Sequence, residues 1–409
     1  MILYSLIWHP MYRVGQPQDQ RNPGLRSALG HVTGAVGVVG AGQLARMMQQ
    51  SAAGLGVGLS VLADSETDPA VASAARYEIG SCAELSVLKR FSSDVDVVTF
   101  DHERTPAELA EALCRLGVTV RPGPAALRSA QDKLHAREVQ KGAGLPGPRF
   151  RSVPRRAALR SIVAAADDWG WPVVLKRRLG GYDGRGVHVL DGPEAAARAI
   201  AADPAPPGGW MVEAHVDIAV ELAVLVARRP SGTRVAYPVV ETVQVDGICR
   251  HLVMPARVPP AVASQAVAIA EHLVDAIDAV GITAVELFYT STDQILINEL
   301  AVRPHNSGHA TIEATATSQF ENHLRAVLDW PLGGTTMRSP AAAMVNVLGK
   351  ADGSDPGDRL ELALAVPGAH VHYYGKRPFA GRKLGHVTAL GATQDDALAV
   401  ATEAAARLS

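Results

Sequence analysis

Cysteine is scarce in this sequence: Cys82, Cys114 and Cys249 are its only three, and they lie far apart without a CxxC pair. Neither a disulfide framework nor a cysteine-rich zinc site is expected, and a reducing cytoplasm fits best. Long apolar runs are missing too. The stretch near residue 35 meets Gln43 and Arg46, and the one near 261 meets Glu271, so no uncharged run reaches the ~18 residues that cross a bilayer. The opening MILYSLIWHPMY has no basic leader and no small-residue cleavage site, so it does not read as a signal peptide. Neither charge dominates. With 39 Lys plus Arg against 41 Asp plus Glu, a protein that coats nucleic acid is not expected. Aromatics make up only 5%, whereas Gly (38) and Pro (26) abound, which suits a compact α/β enzyme with many tight turns rather than a disordered chain. These absences imply a soluble intracellular protein without a membrane or nucleic-acid partner.

At ~150 residues per domain, 409 residues suggest two or three domains. Residues 1–33 show neither a helical nor a strand period and read as a mobile extension. From Ala35, AVGVV reads as a buried strand, GAGQL as a glycine turn and LARMMQQSAAG as a helix. Strands follow at GLSVLAD, DVDVVTF and GVTV, with a helix from Pro106 to about Leu116. This alternation predicts a parallel sheet covered on both faces across residues 34–130. A longer unit spans 131–338, with a lid at about 150–215 where VPRRAALRSIVAAADDWG is helical and WPVVLKRR and GVHVL are strands. AVELAVLVAR and TRVAYPVV suggest an antiparallel sheet, and Val262, Ala266, Ile269, Leu273, Ile277 and Val280 mark an amphipathic helix. The tail, 339–409, carries MVNVLG, VHYYGK, a basic turn and an Ala-rich helix, and its strands suggest a small C-terminal domain.

Five patterns could carry chemistry. GAGQLA, Gly40 to Ala45, follows a strand and opens a helix, with Asp64 ending the next strand. This matches a dinucleotide fingerprint, although such a helix start holds any phosphate and the glycines can serve a tight turn alone. In VVLKRRLGGYDGRGVHVL, Lys176 ends a strand and Gly180, Gly181, Gly184 and Gly186 precede the next. Such a loop can bend backbone N–H groups around phosphates, with Lys176 and Arg185 supplying charge; an ordinary hairpin tip is the simpler reading, and no Walker motif is present. Third, ITAVELFY and QILINEL are strands joined by a short polar turn. If Thr290 pairs with Ile295, Glu286 falls opposite Glu299, their β-carbons ~5 Å apart on one face. Two carboxylates there repel unless one turns to solvent, one meets an Arg, or a divalent cation joins them; all-oxygen ligation selects Mg2+ or Mn2+. Just downstream, AVRPHNSGHAT clusters Arg303, His305, Asn306, Ser307 and His309 as an anion pocket, and YGKRPFAGRKLGH gathers Lys376, Arg377, Arg382 and Lys383, a solvated turn or a phosphate site.

Together these strings resemble the ATP-grasp superfamily, and within it the 5-(carboxyamino)imidazole ribonucleotide synthases of purine biosynthesis. The resemblance runs from about Val36 to the C-terminus on KRRLGGYDGRG, INELAVRPHNSGH and GRKLGHV, supported by GAGQLARM and the DK of SAQDKL. It implies an α/β fold: an N-terminal Rossmann-like parallel-sheet domain, a central two-subdomain ATP-grasp and a small C-terminal β-rich domain. It implies an ADP-forming ligase that phosphorylates bicarbonate to carboxyphosphate and carboxylates 5-aminoimidazole ribonucleotide, acting as a homodimer. Matching ATP positions are Arg128, Lys176, the loop Gly181, Tyr182, Asp183, Gly184, Arg185, Gly186 and Val187, the hinge Glu213, Ala214, His215 and Val216, then Glu221, Gln244, Asn298 and Glu299. Glu286 and Glu299 match metal ligands, and Arg303, His305 and Asn306 match the residues that hold bicarbonate and carboxyphosphate. Gln43, Leu44, Glu103, Asp183, Lys376, Arg382 and Lys383 match the ribonucleotide site. Carboxyphosphate is short-lived in water, so GGYDGRG is the natural lid.

Four places depart from the family pattern: Gln244 stands where relatives often have His, Val302 replaces a common Pro, TFDHE replaces an acidic-aromatic run before Glu103, and residues 1–33 have no counterpart. Other readings are a formate-using glycinamide ribonucleotide transformylase, which shares the ATP site, an NAD-dependent oxidoreductase built on GAGQLA and Asp64, and a non-catalytic nucleotide sensor.

Overall fold

The computed structural model describes residues 33–181, 184, 186–204 and 206–408. Residues 1–32 of the expected extension lie outside the described residues, as do Tyr182, Asp183 and Arg185 of the glycine loop.

The first sheet holds β1 (Gly34–Val39), β2 (Val57–Ala63), β3 (Arg76–Ile79) and β4 (Val97–Phe100), all parallel in the order β3-β2-β1-β4. Every residue of β1 and β2 is buried, as a sheet covered on both faces requires. Val36 and Val38 face the helix Gln43–Leu55 together with Phe320 and Leu324, while Val39 faces Val87, Phe91 and Leu113. The strand order reverses at β1, so the loops after β1 and β4 flank one crevice. The strand expected at GVTV shrinks to a single bridge, Val98 to Val120. An unforeseen strand, β3, forms instead at the sheet edge, where Tyr77 and Ile79 stay exposed and leave no apolar signal.

The second sheet falls in the segment expected as the lid: β5 (Phe150–Val153), β6 (Val173–Arg177), β7 (Val187–Leu190) and β8 (Trp210–Ala214), antiparallel in the order β5-β8-β6-β7. Ile162 and Ala165 of one helix and Ala196 and Ala199 of another pack on Leu175, Trp210 and Val212.

The third sheet comprises β9 (Ile218–Arg228), β10 (Arg234–Ala236), β11 (Val240–Val245), β12 (Ile248–Met254), β13 (Gly281–Thr290), β14 (Ile295–Ala301), β15 (Ala341–Leu348), β16 (Ala369–Tyr373) and β17 (Lys383–Gly391). Its order is β14-β13-β9-β11-β12-β15-β17-β16, with β10 added beside β9. TRVAYPVV, expected as one strand, is split into β10 and β11. Pro238 has no N–H for a ladder, and the chain bends there to bury Tyr237, whose hydroxyl donates to Thr317 O at 3.0 Å. The expected amphipathic helix spans Pro260–Ala276 and buries Ala266, Ile269 and Leu273. The C-terminal strands β15 to β17 extend the central sheet through the β12–β15 pair. Among the described residues no helix is long and apolar enough to cross a membrane.

Candidate active site

The β13–β14 hairpin sets the centre. Glu286 pairs with Glu299, but not through the expected turn. Tyr289, not Thr290, pairs with Ile295, so Leu287 meets Ile297, and a bulge at Asn298 then restores the Glu286–Glu299 match. A bulge seats two consecutive residues against one partner. Both side chains at this one, Asn298 and Glu299, meet lysines: Asn298 Oδ1 accepts from Lys176 Nζ at 3.1 Å, and Glu299 Oε1 accepts from Lys133 Nζ at 2.6 Å.

Charge is unevenly shared between the carboxylates. Burial, then the nearby Glu299 and Glu221, push Glu286 up to about 7. Burial opposes ionisation of Glu299 as well, yet Lys133, Lys176 and Arg137 outweigh it and hold Glu299 below the usual carboxylate range. Neither is sealed off: Glu286 keeps 28% and Glu299 35% of its side-chain surface open.

Lys176 reaches this hairpin from the lid. It stands one residue before the end of β6, beside β8 and diagonal to Glu213, and its Nζ lies 2.8 Å from Glu213 Oε2. Arg137 Nε approaches Glu213 Oε1 at 2.5 Å and donates from its other nitrogens to Ile297 O and Asn298 O at 2.9 and 2.8 Å. Burial alone would raise the pKa of Glu213, but these two cations hold it at about 2. Lys133 and Arg137 stand one turn apart on the helix Lys133–Gly142, whose N-terminus Asp132 caps while also taking Arg178.

Glu221 and Gln244 meet beside the hairpin, lining a narrow cleft with Phe288, Glu286 and Asn298. The Gln244 amide bonds the Glu221 carboxylate, while burial pushes that carboxyl up. The hinge follows directly: Ala214 ends β8, His215 is exposed and Val216 half-buried. Gly181 precedes the undescribed part of the glycine loop, and Gly186 leads into Val187, the first residue of β7. A Cβ on Gly184, whose φ is +74°, would meet Gly247 Cα at 3.1 Å, so Gly184 lies against the β11–β12 turn. Arg128 stands apart: its exposed guanidinium faces Glu108 and Glu111 at 3.7 and 3.9 Å, and no ion pair among the described residues joins it to the lysine–carboxylate network.

On the other side, Arg303 Nε lies 2.7 Å from Glu103 Oε2, and His305 Nε2 lies 3.6 Å from Glu286 Oε1. His305 Nδ1 accepts from Ser307 N–H at 3.3 Å, which leaves the ring proton on Nε2, facing Glu286. Burial, with Arg303 and Lys383 nearby, pulls the His305 pKa down to about 3, so the ring is neutral. Gln319 clamps the His305 backbone, accepting from its N–H and donating to its C=O, both at 2.8 Å.

Two side chains of the expected site are engaged elsewhere in the fold. The Asn306 amide turns away into a reciprocal pair with Asn346, 2.9 Å each way, so its side chain supports the loop rather than facing the carboxylates. Leu44 is 7% exposed and packs in the core, leaving only its backbone for a ligand. The neighbouring Gln43 does reach the site: its Oε1 accepts from Lys376 Nζ and its Nε2 lies 3.4 Å from His309 Nε2. Lys383 opens β17, close enough for its charge to act on Glu286, while Arg382 donates to Arg377 O at 2.9 Å and covers the Phe379 ring.

The sequence singles out Lys133 only within the DK of SAQDKL, without a role, and gives Arg137 and Gln319 none as side-chain partners. The signals for the two cations are that string and their helical spacing after the Asp132 cap.

Family models match along the chain: the ribonucleotide synthetase preATP-grasp domain over residues 34–131, the ATP-grasp domain over 138–320, and the phosphoribosylaminoimidazole carboxylase C-terminal domain over 342–400. The chain is 45% identical over 364 residues to the N5-carboxyaminoimidazole ribonucleotide synthase of Mycobacterium bovis, covering 87% of this chain and 83% of that one. Its counterpart in Synechococcus elongatus is 41% identical, with 86% and 88% covered. Two solved structures superpose closely. An N5-carboxyaminoimidazole ribonucleotide synthetase in complex with ADP gives a TM-score of 0.84 at 32% identity, covering 91% of this chain and 96% of that one. The Aspergillus clavatus N5-carboxyaminoimidazole synthase with ADP and 5-aminoimidazole ribonucleotide gives 0.83 at 30% identity, covering 92% and 98%. The chain belongs to the N5-carboxyaminoimidazole ribonucleotide synthase family of ATP-grasp enzymes.

Proposed function

We propose that the seam between the lid and the β13–β14 hairpin carries out the family's reaction, ATP-dependent carboxylation of 5-aminoimidazole ribonucleotide in purine biosynthesis. The enzyme is an ADP-forming ligase. In this reading a bicarbonate oxygen takes the γ-phosphoryl group of ATP, giving carboxyphosphate and ADP. The exocyclic amine of the ribonucleotide then takes the carboxyl group, and phosphate leaves.

The observation that carries the reading is the meeting of Lys176, Glu286, Glu299, Arg303 and His305 at one seam. Lys176, fixed by Glu213, and Lys133 bring two ammonium groups to the phosphates. Glu221 and Gln244 face the ribose. Arg303 holds the bicarbonate carboxylate, and the neutral His305 offers its Nε2–H to the same anion. Lys376, Lys383 and Arg382 receive the ribonucleotide phosphate beside Gln43.

The donor set fits a magnesium ion. Two carboxylates opposite each other, crowded enough to raise one pKa to about 7, suit a hard cation that completes its shell from phosphates and water. When bound, that ion neutralises charge building on the transferred phosphoryl group. Cytoplasmic residence and a homodimer complete the reading; three scattered cysteines and the frequency of two-fold assemblies support them.

Incorporation of labelled bicarbonate tests the proposal. Acid-labile label should appear in the ribonucleotide only with ATP and 5-aminoimidazole ribonucleotide both present. ATP-dependent formylation of glycinamide ribonucleotide by formate, without bicarbonate incorporation, would overturn it.

A further inference from the structure

The helix Gln43–Leu55 has neither a side-chain cap nor an acidic residue in its first turn. The first N–H groups of a helix have no partner within it, and its N-terminus attracts negative charge. Here a carboxyl comes from another strand; burial raises its pKa, while the Gly42 N–H, Arg303 and Arg104 favour its ionised form. One residue past β4, Asp101 turns its carboxylate beneath the glycine loop, where Oδ2 accepts the Gly42 N–H at 2.5 Å. A Cβ on Gly40 would lie 1.8 Å from Asp101 Oδ1, and one on Gly42 2.8 Å from Oδ2; Gly40 also has φ of +104°. The two glycines are therefore required by the approach of this side chain. Asp101 is only 7% exposed. Arg104, three residues on, places Nη2 2.8 Å from Asp64 Oδ2. A dinucleotide fold seats a phosphate at the first of these places and a ribose hydroxyl on the second. One loop of this chain fills both.

We propose that Asp101 is the resident anion of the glycine loop and, through that loop, a positioning residue for the ribonucleotide. It fixes the backbone at Gly42, and the next residue, Gln43, is thereby held where its amide reaches Lys376 and His309. The same loop supplies Glu103 to Arg303, so residues 101 and 103 brace the ribonucleotide side and the bicarbonate side together. This inference rests on the reading that Gln43 and Lys376 contact the ribonucleotide.

The test compares Asp101→Ala, Asp101→Asn and Gln43→Ala in the full-length enzyme, with acetate as the added anion. Asp101→Ala should raise the ribonucleotide KM on the order of tenfold, the scale of a charge-assisted hydrogen bond, with the ATP KM little changed. Acetate should restore both that KM and thermal stability in the alanine variant and do neither in the wild type. Asp101→Asn, which keeps an acceptor in place, should fold, show a smaller rise in KM and ignore acetate. That variant carries the test if the alanine protein does not fold. An unchanged ribonucleotide KM in both Asp101 variants, or no acetate response in a folded alanine variant, would overturn the proposal. Acetate-dependent stability in Asp101→Ala with a normal ribonucleotide KM in Gln43→Ala would instead overturn the ribonucleotide contact and leave the resident anion standing.

Discussion

Glu213 holds Lys176 across two antiparallel strands, Oε2 to Nζ at 2.8 Å, with both side chains more than nine-tenths buried. A buried carboxylate between two cations stabilises the fold only while it is ionised. Its pKa is about 2 in the folded chain against 4.5 when unfolded, so between those values the folded state holds fewer protons. Stability from this group is present above pH 4.5 and is lost as pH falls toward about 2. Glu213→Gln strands Lys176 and Arg137 and should cost about 3–5 kcal/mol at neutral pH, with a shallower acid limb. Urea unfolding of both proteins at neutral pH and near pH 3 checks this.

Glu299→Gln keeps the shape of the hairpin and removes one of its facing charges. Turnover should fall on the order of 10²-fold or more, and the magnesium needed for half-activity should rise, while the melting temperature stays close to wild type. Titrating activity with magnesium for both proteins gives the answer.

Lys133 meets Glu299 at 2.6 Å and is the nearest cation offsetting the hairpin's charge. Lys133→Met should raise the ATP KM about tenfold, because a charge-assisted contact to phosphate is lost. The ribonucleotide KM should hold steady. Steady-state kinetics in both substrates separates the two.

The basic tail should behave in the opposite sense. Lys376→Ala combined with Arg382→Ala should raise the ribonucleotide KM and leave that of ATP alone. An effect confined to ATP would mean that the phosphate site lies elsewhere.

The sequence exposes most strongly what has a period. The all-buried strands β1 and β2, the alternating hairpin and the helix Pro260–Ala276 follow from apolar spacing alone. The facing of Glu286 and Glu299 is legible for a compensated reason: the turn lies one residue away from the assumed pair, and the bulge at Asn298 adds that residue back. Strand alternation carries no sign of a bulge. Nor does it show that Asn306 turns to Asn346, since the two lie 40 residues apart and only the fold brings them together. Edge strand β3 and the break at Pro238 depend on which neighbours the sheet supplies, which is tertiary information. The glycine fingerprint is the instructive case. Its local pattern equals that of a dinucleotide site, and only the fold brings Asp101 and Arg104 into the positions a dinucleotide would need.

In the proposed reading Lys176, the glutamate pair and Arg303 serve one reaction on one ribonucleotide. The decisive measurement is phosphate release from Mg-ATP in bicarbonate buffer, with and without 5-aminoimidazole ribonucleotide. That ribonucleotide should stimulate release strongly, and Glu299→Gln should abolish the stimulation. Release that ignores the ribonucleotide, or that survives in the variant, would overturn the reading.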